Sequence, residues 1–199
     1  MQHGANNSVV SQSDLDKAIE ALKAGKPAVF PTDTVYGIGV SVLHAKSPQA
    51  IYDIKQRAAG KPIAWLVGSP EALDVFGIDV PQQARDLVCA HWPGALTVIV
   101  KAGDAVPHAF ASQAGTIGLR MPDSPVVLSL IKAVGSPLAT SSANISGSPD
   151  PQVLEDVDSQ VLRRVAAVVR CGRAGSGLPS TVIDCSHGTV QVLRQGLIK

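Results

Sequence analysis

The sequence is poor in aromatic residues, which make up 4% of its 199 residues. Proteins that hold single-stranded nucleic acid commonly stack the bases on aromatic side chains, so a binding platform of that kind is not expected. The net charge of +1 is also low for a protein that coats DNA or RNA. Any anion-binding site must therefore come from a local cluster of cations.

Cysteines and long apolar runs are also scarce. The three cysteines, Cys89, Cys171 and Cys185, lie far apart and form no Cys-x-x-Cys pair, which argues against a zinc site and a disulfide framework. Free thiols are typical of a reducing compartment. No apolar run approaches the length of a membrane span, and the first eight residues lack the features of a signal peptide. We therefore expect a cytoplasmic protein that does not associate with membranes.

Several motifs of nucleotide-binding and hydrolytic enzymes are missing. The chain has no P-loop sequence, and Gly37-Ile38-Gly39 lacks the third glycine of a dinucleotide-binding fingerprint. Neither a G-x-S-x-G nor an H-E-x-x-H motif occurs. The five histidines are scattered, so we expect them to be structural or exposed rather than catalytic.

What the sequence does contain is an alternation of helical and β-rich segments. Apolar residues recur at helical spacing from Leu15 to Leu22, and Gly25 ends that helix. A further helix is predicted from Pro81 to about His91. A capping residue followed by proline, which is typical of a helix start, occurs at four later points: Ser47-Pro48, Ser69-Pro70, Ser124-Pro125 and Asp150-Pro151.

Short β-rich runs lie between these helices. They are Pro27–Phe30, Tyr36–Val42, Pro62–Val67, Leu96–Lys101, Thr116–Arg120, Pro137–Thr140, Ala166–Arg170, Thr181–Cys185 and Thr189–Arg194. The last two flank a predicted hairpin turn, and the stretch from Leu96 to Arg120 also looks antiparallel. The pattern predicts an α/β (α+β) fold with a twisted mixed β-sheet flanked by helices. Residues 1–10 are interpreted as a flexible N-terminal tail, and residues 11–199 as a single domain.

Polar side chains cluster where several of these strands end. The loop Pro31–Gly37 carries hydroxyls and a carboxyl, and is typical either of a capped turn or of a binding loop. Ser142 and Asn144 follow another strand, where such residues either cap a helix or donate to phosphate oxygens. Ser180 begins the predicted hairpin, and Arg194 lies on its second strand.

Lys55, Arg57 and Lys61 form a cationic cluster. Residues two apart share a face only on an extended segment, so we expect the preceding helix to end here with Lys55 and Arg57 facing one space. Arginine offers a planar fork for phosphate or carboxylate, and lysine a compact charge. The alternative is a solvated helix end, at which cations complement the helix dipole. Arg120 is a further cation at the end of a predicted strand.

Seven short motifs follow one another along the chain: PTDTVYGIG, the K-x-R of IYDIKQR followed by KP, WPGALTVIV, TIGLRMP, the S-x-N of TSSANISG, STVID and VLRQG. In this order and spacing they resemble the YrdC family of threonylcarbamoyl-adenylate synthases, from about Leu15 to Ile198. The resemblance implies a YrdC-like fold with a deep, positively lined cavity. It also implies a nucleotidyltransferase, in which L-threonine, bicarbonate and ATP give threonylcarbamoyl-AMP and pyrophosphate, with magnesium as the cofactor.

The resemblance also implies a role for individual residues. The threonine-binding residues would be Thr34, Arg120 and Ser180. The ATP-binding residues would be Arg57, Lys61, Thr116, Ser142, Asn144 and Arg194. The catalytic K-x-R/S-x-N set would be Lys55, Arg57, Ser142 and Asn144. No protein side chain is assigned as a metal ligand.

The implied product serves threonylcarbamoyladenosine modification of tRNA, so the expected partner is the bacterial tRNA threonylcarbamoyl-transferase complex, with at most a weak direct contact to tRNA or other RNA. Two other functions stay open: a double-stranded-RNA or ribosome-binding module, and a carbamoyl-transfer enzyme like the related domain of hydrogenase-maturation proteins. The low charge and few aromatics count against the first.

The chain departs from the family pattern at several points. Longer members have Asn-Pro-Leu at Lys61-Pro62-Ile63, a histidine at Leu66 and a further C-terminal domain, so the chain looks like the short, single-domain bacterial type. Gln195 replaces a proline that would restrict the conformation of Arg194.

Overall fold

The computed structural model describes residues 10–58 and 60–199. Apart from Val10, the predicted N-terminal tail lies outside these residues. Six α-helices run through the described part: α1 (Gln12–Lys23), α2 (Gln49–Lys55), α3 (Ala72–Phe76), α4 (Gln82–His91), α5 (Pro125–Val134) and α6 (Ser159–Arg164). Two single 3-10 turns cover His108–Phe110 and Leu154–Asp156. None of the helices in this part of the chain is both long and apolar enough to cross a membrane.

Ten strands of the described residues form one mixed sheet. They are β1 (Ala28–Pro31), β2 (Tyr36–Ser41), β3 (Ala64–Leu66), β4 (Gly77–Ile78), β5 (Leu96–Ala102), β6 (Thr116–Arg120), β7 (Leu138–Ser142), β8 (Ala167–Val168), β9 (Thr181–Asp184) and β10 (Gln191–Arg194). Their order is β10-β9-β5-β6-β3-β7-β2-β1-β8, and β4 pairs with β5. The pairs β1–β8, β3–β6 and β5–β9 are parallel and the other pairs antiparallel. The predicted mixed sheet is confirmed, as are the antiparallel β5–β6 pair and the C-terminal hairpin.

The helices cover the sheet unevenly. Helices α1 and α5 pack on β1 with Leu66 and Leu138 in a smaller apolar cluster. Helices α2, α3 and α4 contact β2, β6 and β5, and the larger cluster includes Trp65, which is fully buried. Because Trp65 and Leu66 are neighbours on one strand, their side chains lie on opposite faces of the sheet. The face that carries Leu66 is covered by α1 and α5 at one end, and the part that these two helices leave uncovered lines a cavity.

Local capping explains where several helices begin. Ser124 caps α5 by accepting a hydrogen bond from the Val127 amide at 3.4 Å, and Pro125 follows at the first helical position. The prediction of a helix start at Asp150-Pro151 was wrong. The carbonyl of Pro151 instead accepts a hydrogen bond from the Tyr36 amide at 2.8 Å, which ties this segment to β2. The next helix, α6, begins only after Asp158, whose carboxylate accepts from the Gln160 amide.

Candidate active site

The open part of the sheet face forms a cavity of about 450 Å³. Its floor consists of alternate residues on four adjacent strands, as expected for side chains that share one face of a sheet. These floor residues are Ala64 and Leu66 of β3, Thr97 and Ile99 of β5, Thr116, Gly118 and Arg120 of β6, and Thr140 and Ser142 of β7. A volume of this size falls in the range usual for small-molecule sites.

The cavity collects most of the residues that the sequence motifs single out. Nine of them line it: Thr34, Lys55, Arg57, Thr116, Arg120, Ser142, Asn144, Ser180 and Arg194. They come from segments that are distant in sequence and meet only because their strands are neighbours in the sheet. Lys61 is different, because it is exposed and does not line the cavity.

Arg120 is held at one end of the cavity by a buried ion pair. Its Nη2 donates to Asp33 Oδ1 at 2.6 Å, its Nη1 to Thr34 Oγ1 at 3.1 Å and its Nε to the Gly94 carbonyl at 3.0 Å. The two charged side chains are 7% and 12% exposed. Burial lowers the pKa of Arg120, and the charge and hydrogen bond of Asp33 oppose that shift. These contacts use three of the five guanidinium N–H bonds, which leaves two for a ligand such as a carboxylate.

The loop that carries Asp33 and Thr34 is fixed by a second segment of chain. The amides of Gly175, Ser176 and Gly177 donate to the carbonyls of Thr32, Asp33 and Thr34 at 2.8 to 3.0 Å. A Cβ at Gly175 would lie 2.0 Å from the Asp33 carbonyl oxygen, so only glycine permits this approach. The partners of Arg120 are therefore set by backbone hydrogen bonds rather than by side-chain packing alone.

Lys55, at the last position of α2, is 1% exposed. Its Nζ donates to the Ser142 carbonyl, to the Asn144 carbonyl at 2.7 Å and to Asn144 Oδ1 at 2.8 Å. An ammonium group has three N–H bonds, so all of them are engaged by the segment after β7. Burial lowers the pKa of Lys55 to about 8, the charge of Arg57 acts in the same direction, and the charge of Asp150 opposes it.

This contact orders the S-x-N motif. Ser142 Oγ donates to Asn144 Oδ1 at 2.6 Å, and Asn144 Nδ2 donates to the Ser148 carbonyl at 2.5 Å. The Ser146 amide donates in turn to the Lys55 carbonyl at 2.8 Å. Lys55 thus joins the end of α2 to the loop after β7, and its charge reaches a ligand in the cavity through space or through the groups it positions.

Arg57 follows the end of α2, as its spacing from Lys55 predicts. The residue between them, Gln56, takes a left-handed conformation with φ 51°, which ends the helix. Arg57 Nη2 donates to the Pro62 carbonyl at 3.2 Å. Its Nε is buried and has no hydrogen-bond partner within the described part of the chain. A buried donor without a partner is costly, so Arg57 is placed to gain an acceptor from a ligand.

Ser180 and Arg194 meet across the C-terminal hairpin. Arg194 Nε donates to the Ser180 carbonyl and its Nη2 to Ser180 Oγ, both at 3.1 Å. Ser180 Oγ also lies 2.8 Å from Thr97 Oγ1 on β5. The pairing of β9 with β10 shifts register between Val192 and Arg194, which turns Arg194 towards the cavity wall.

Sequence reasoning missed some polar residues of the site. Thr97 and Thr140 lie on the cavity floor, and Asp150 lines the cavity as well. The two-residue spacing of Thr140 and Ser142 on one strand was the signal for Thr140, since both share a face with the residues already chosen. Nothing in the sequence marks Asp150, because its place depends on the segment that crosses back to β2.

The described residues contain no group of three or more histidine, cysteine, aspartate or glutamate side chains that could hold a metal ion. Among the described residues that line the cavity, Asp150 is the one carboxylate. A magnesium ion commonly takes only one or two protein carboxylates when phosphates supply its other ligands. The donor set therefore fits a magnesium ion that enters with a phosphate ligand.

Comparison with known proteins places this arrangement among relatives. The family model for the Sua5, YciO and YrdC proteins, described as "Telomere recombination", matches residues 20–196. A Vibrio campbellii protein named threonylcarbamoyl-AMP synthase is 33% identical over 92% of this chain and 99% of its own length. A Bacillus subtilis protein of the same name is 34% identical over 90% of this chain and 52% of its own length.

Solved structures agree with the sequence relatives. Pyrococcus abyssi Sua5 in complex with L-threonine superposes with a TM-score of 0.86 at 32% identity, over 92% of this chain and 54% of that protein. The chain thus spans just over half the length of Sua5. Escherichia coli YciO has a TM-score of 0.84 at 27% identity, over 94% of this chain and 91% of its own. Full-length HypF, with a TM-score of 0.75 at 21% identity over 92% of this chain and 29% of its own, shares the fold alone.

The family model spans nearly all of the described fold, and it includes every residue that lines the cavity. On this evidence the chain belongs to the Sua5/YciO/YrdC family.

Proposed function

We propose that this chain makes threonylcarbamoyl-AMP from L-threonine, bicarbonate and ATP, and so acts as a nucleotidyltransferase. The observation that carries the proposal is the cavity that joins Arg120, which keeps two N–H bonds for a carboxylate, to a cationic region at Lys55, Arg57 and Arg194. The names of relatives at 33% and 34% identity point to the same product.

The Arg120 end and the cationic region of the cavity suit different parts of the substrates. The free N–H bonds of Arg120, beside Thr34, suit the carboxylate of threonine. Arg57 and Arg194, with the donors of Ser142 and Asn144 close by, suit a polyphosphate. Threonine's amine would then lie between its own carboxylate and the α-phosphate, where the new bonds form.

The chemistry needs no nucleophile from the protein. The amine of threonine attacks carbon dioxide or activated bicarbonate to give a carbamate. The amine loses a proton when it attacks carbon dioxide, and water leaves when it attacks bicarbonate. A carbamate oxygen attacks the α-phosphorus, the bond to the β-phosphate oxygen breaks, and pyrophosphate leaves. The residues contribute mainly positioning and charge stabilisation, since negative charge accumulates on the leaving group. Magnesium bound with ATP would neutralise part of that charge.

We further propose that the chain works in the cytoplasm and passes its product to the bacterial tRNA threonylcarbamoyl-transferase complex, with at most a weak contact of its own to RNA. An adenylate of this kind is labile in water, and the recessed cavity would shield it until release.

The test is pyrophosphate release from ATP, with threonine, bicarbonate or magnesium left out in turn. Release is expected only when all three are present. Release that continues without threonine would indicate an ordinary ATPase. RNA binding with no turnover at all would favour the RNA-binding alternative.

A further inference from the structure

Asp150 lies in the cavity wall on a rigid stretch of chain. It is half-buried and stands between Pro149 and Pro151. Proline fixes its own φ and restricts the residue before it, so the backbone of Asp150 has little freedom. The hydrogen bond from the Tyr36 amide to the Pro151 carbonyl, at 2.8 Å, anchors the segment to β2. The carboxylate is therefore presented to the cavity by a fixed backbone.

The Asp150 carboxylate takes no part in the hydrogen bonds and salt bridges that hold the described residues together. Within residues 10–58 and 60–199, Asp150 makes no side-chain hydrogen bond or salt bridge. Its charge nevertheless acts on two cations of the cavity. Burial lowers the pKa of both Lys55 and Arg194, and the Asp150 charge opposes the shift in each case. In a site that holds only anions, a carboxylate without a salt bridge would weaken binding, because like charges repel.

The charges of the cavity point to a ligand that carries a cation. Arg120 is neutralised by Asp33, whereas Lys55, Arg57 and Arg194 have no carboxylate salt bridge among the described residues. These three cations and Asp150 leave a modest positive excess. Metal-free ATP carries about four negative charges near neutral pH and its magnesium complex about two, so the cavity is balanced for the complex.

From these observations we infer that Asp150 provides a direct carboxylate contact to the magnesium ion that accompanies ATP. The inference rests on the proposed function, because it requires ATP to bind in this cavity. One carboxylate on a rigid segment, with phosphate oxygens and water for the remaining positions, is a common way for a protein to hold magnesium.

The experiment is calorimetric titration of ATP into the protein without threonine, so that no turnover occurs, once with excess magnesium and once with a chelator. Wild type is compared with Asp150→Asn and with Asp104→Asn, which changes an exposed carboxylate outside the cavity. We expect Asp150→Asn to weaken binding of magnesium-ATP by roughly tenfold, as is usual when a metal site loses a supporting group. Binding of metal-free ATP should become tighter, because a repulsive charge has been removed.

Opposite changes in the affinities for magnesium-ATP and for metal-free ATP distinguish a metal contact from simple charge repulsion. If both forms of ATP bind more tightly to Asp150→Asn, the residue is merely repulsive and the inference is wrong. Equal weakening of both forms, or no change in either, would also overturn it while leaving the proposed function intact. If wild type binds neither form of ATP, both proposals fail together.

A change of metal preference tests direct ligation. Thiolate is a soft ligand that favours cadmium over magnesium. The ratio of the affinity for cadmium-ATP to the affinity for magnesium-ATP should therefore be at least about tenfold higher in Asp150→Cys than in wild type. The wild-type titration accounts for Cys89, Cys171 and Cys185. If the cadmium preference is the same in both proteins, Asp150 does not contact the metal.

Discussion

Arg120 and Arg57 both line the cavity, but the fold holds them in different ways. Arg120 is nearly fully buried, is paired with Asp33 at 2.6 Å, and is fixed by three hydrogen bonds. Among residues 10–58 and 60–199, Arg57 has one hydrogen bond, to a carbonyl, no carboxylate partner, and a buried Nε without an acceptor. Arg120 has its charge paired and three of its five N–H bonds satisfied within the protein, whereas Arg57 depends on a ligand for more of its hydrogen bonds. In terms of the proposed function, the comparison indicates that the proposed threonine end of the cavity is preorganised, while the proposed ATP end would gain part of its order on binding.

The largest expected effect is on the free energy of unfolding, and it distinguishes Arg120 from Arg57. Asp33→Ala leaves Arg120 charged and buried without its partner, which typically costs about 3–5 kcal/mol in the free energy of unfolding. Arg57→Ala removes a side chain with one hydrogen bond and should cost only about 1 kcal/mol. Urea denaturation of both variants measures this difference. Similar losses of stability in the two variants would contradict the distinction between the paired Arg120 and Arg57, which has no carboxylate partner among the described residues.

The second prediction concerns which ligand each arginine holds. Loss of a charge-assisted contact usually costs about 1.5–3 kcal/mol, or roughly tenfold to a hundredfold in affinity. Arg57→Ala should weaken ATP binding by that factor and affect threonine less, and Arg120→Ala should do the reverse. Separate calorimetric titrations of ATP and threonine provide the measurement.

A charge-conserving variant guards against misfolding in that experiment. Arg120→Lys keeps the charge near Asp33 but loses the planar fork, so it should still fold and still lose threonine affinity. If either Arg120 variant lost ATP affinity and kept threonine affinity, the two subsites would be reversed.

The third prediction uses pH to distinguish the Lys55 region of the cavity from the Arg120 end. Burial lowers the pKa of Lys55 from its ordinary value of 10.5 to about 8. As pH rises through about 8, the loop with Ser142 and Asn144 should lose its cationic anchor, and ATP affinity should fall roughly threefold to tenfold. If threonine binds at Arg120 as proposed, its affinity should lack this step near pH 8, because Lys55 makes its hydrogen bonds with the loop after β7. The pH dependence of threonine binding should then reflect the amine of the ligand.

The sign of the stability change follows from the same shift. Between pH 8 and 10.5 the unfolded chain binds more protons at Lys55 than the folded chain does. The free energy of unfolding should therefore gain a contribution from Lys55 as pH rises across that window. Lys55→Met should lose both pH effects, and Lys132→Met, at an exposed position of α5, should keep them. A flat ATP affinity in the wild type between pH 7 and 9 would contradict the prediction.

The smallest effect is expected at Lys61. It is exposed and does not line the cavity, although it lies close in sequence to Arg57. Exposed charges contribute about 0–1 kcal/mol, so Lys61→Ala should change ATP affinity by less than about fivefold. A loss as large as that of Arg57→Ala would mean that this segment closes over ATP when it binds.

Much of the fold could be predicted because it depends on short-range chemistry. The β-rich run Thr116–Arg120 became β6 without a change of boundary, and Ser124-Pro125 became the start of α5 as predicted. At Asp150-Pro151 the same kind of signal was wrong, because a hydrogen bond to β2, more than a hundred residues away in sequence, determines that backbone. A local pattern predicts local structure only where no distant strand competes for the same amide or carbonyl.

The sequence by itself determined which residue types reach this cavity, since the motifs place hydroxyls, amides and cations directly after strands or on them. Tertiary structure alone decided what each group is left to do. It paired Arg120 with Asp33, used all three donors of Lys55 on the loop after β7, kept Lys61 outside the cavity and, among the described residues, left the Asp150 carboxylate without a hydrogen bond or salt bridge. The physical reason is that a side chain's type sets its charge and hydrogen-bonding capacity, whereas its neighbours in space determine how much of that capacity remains for a ligand.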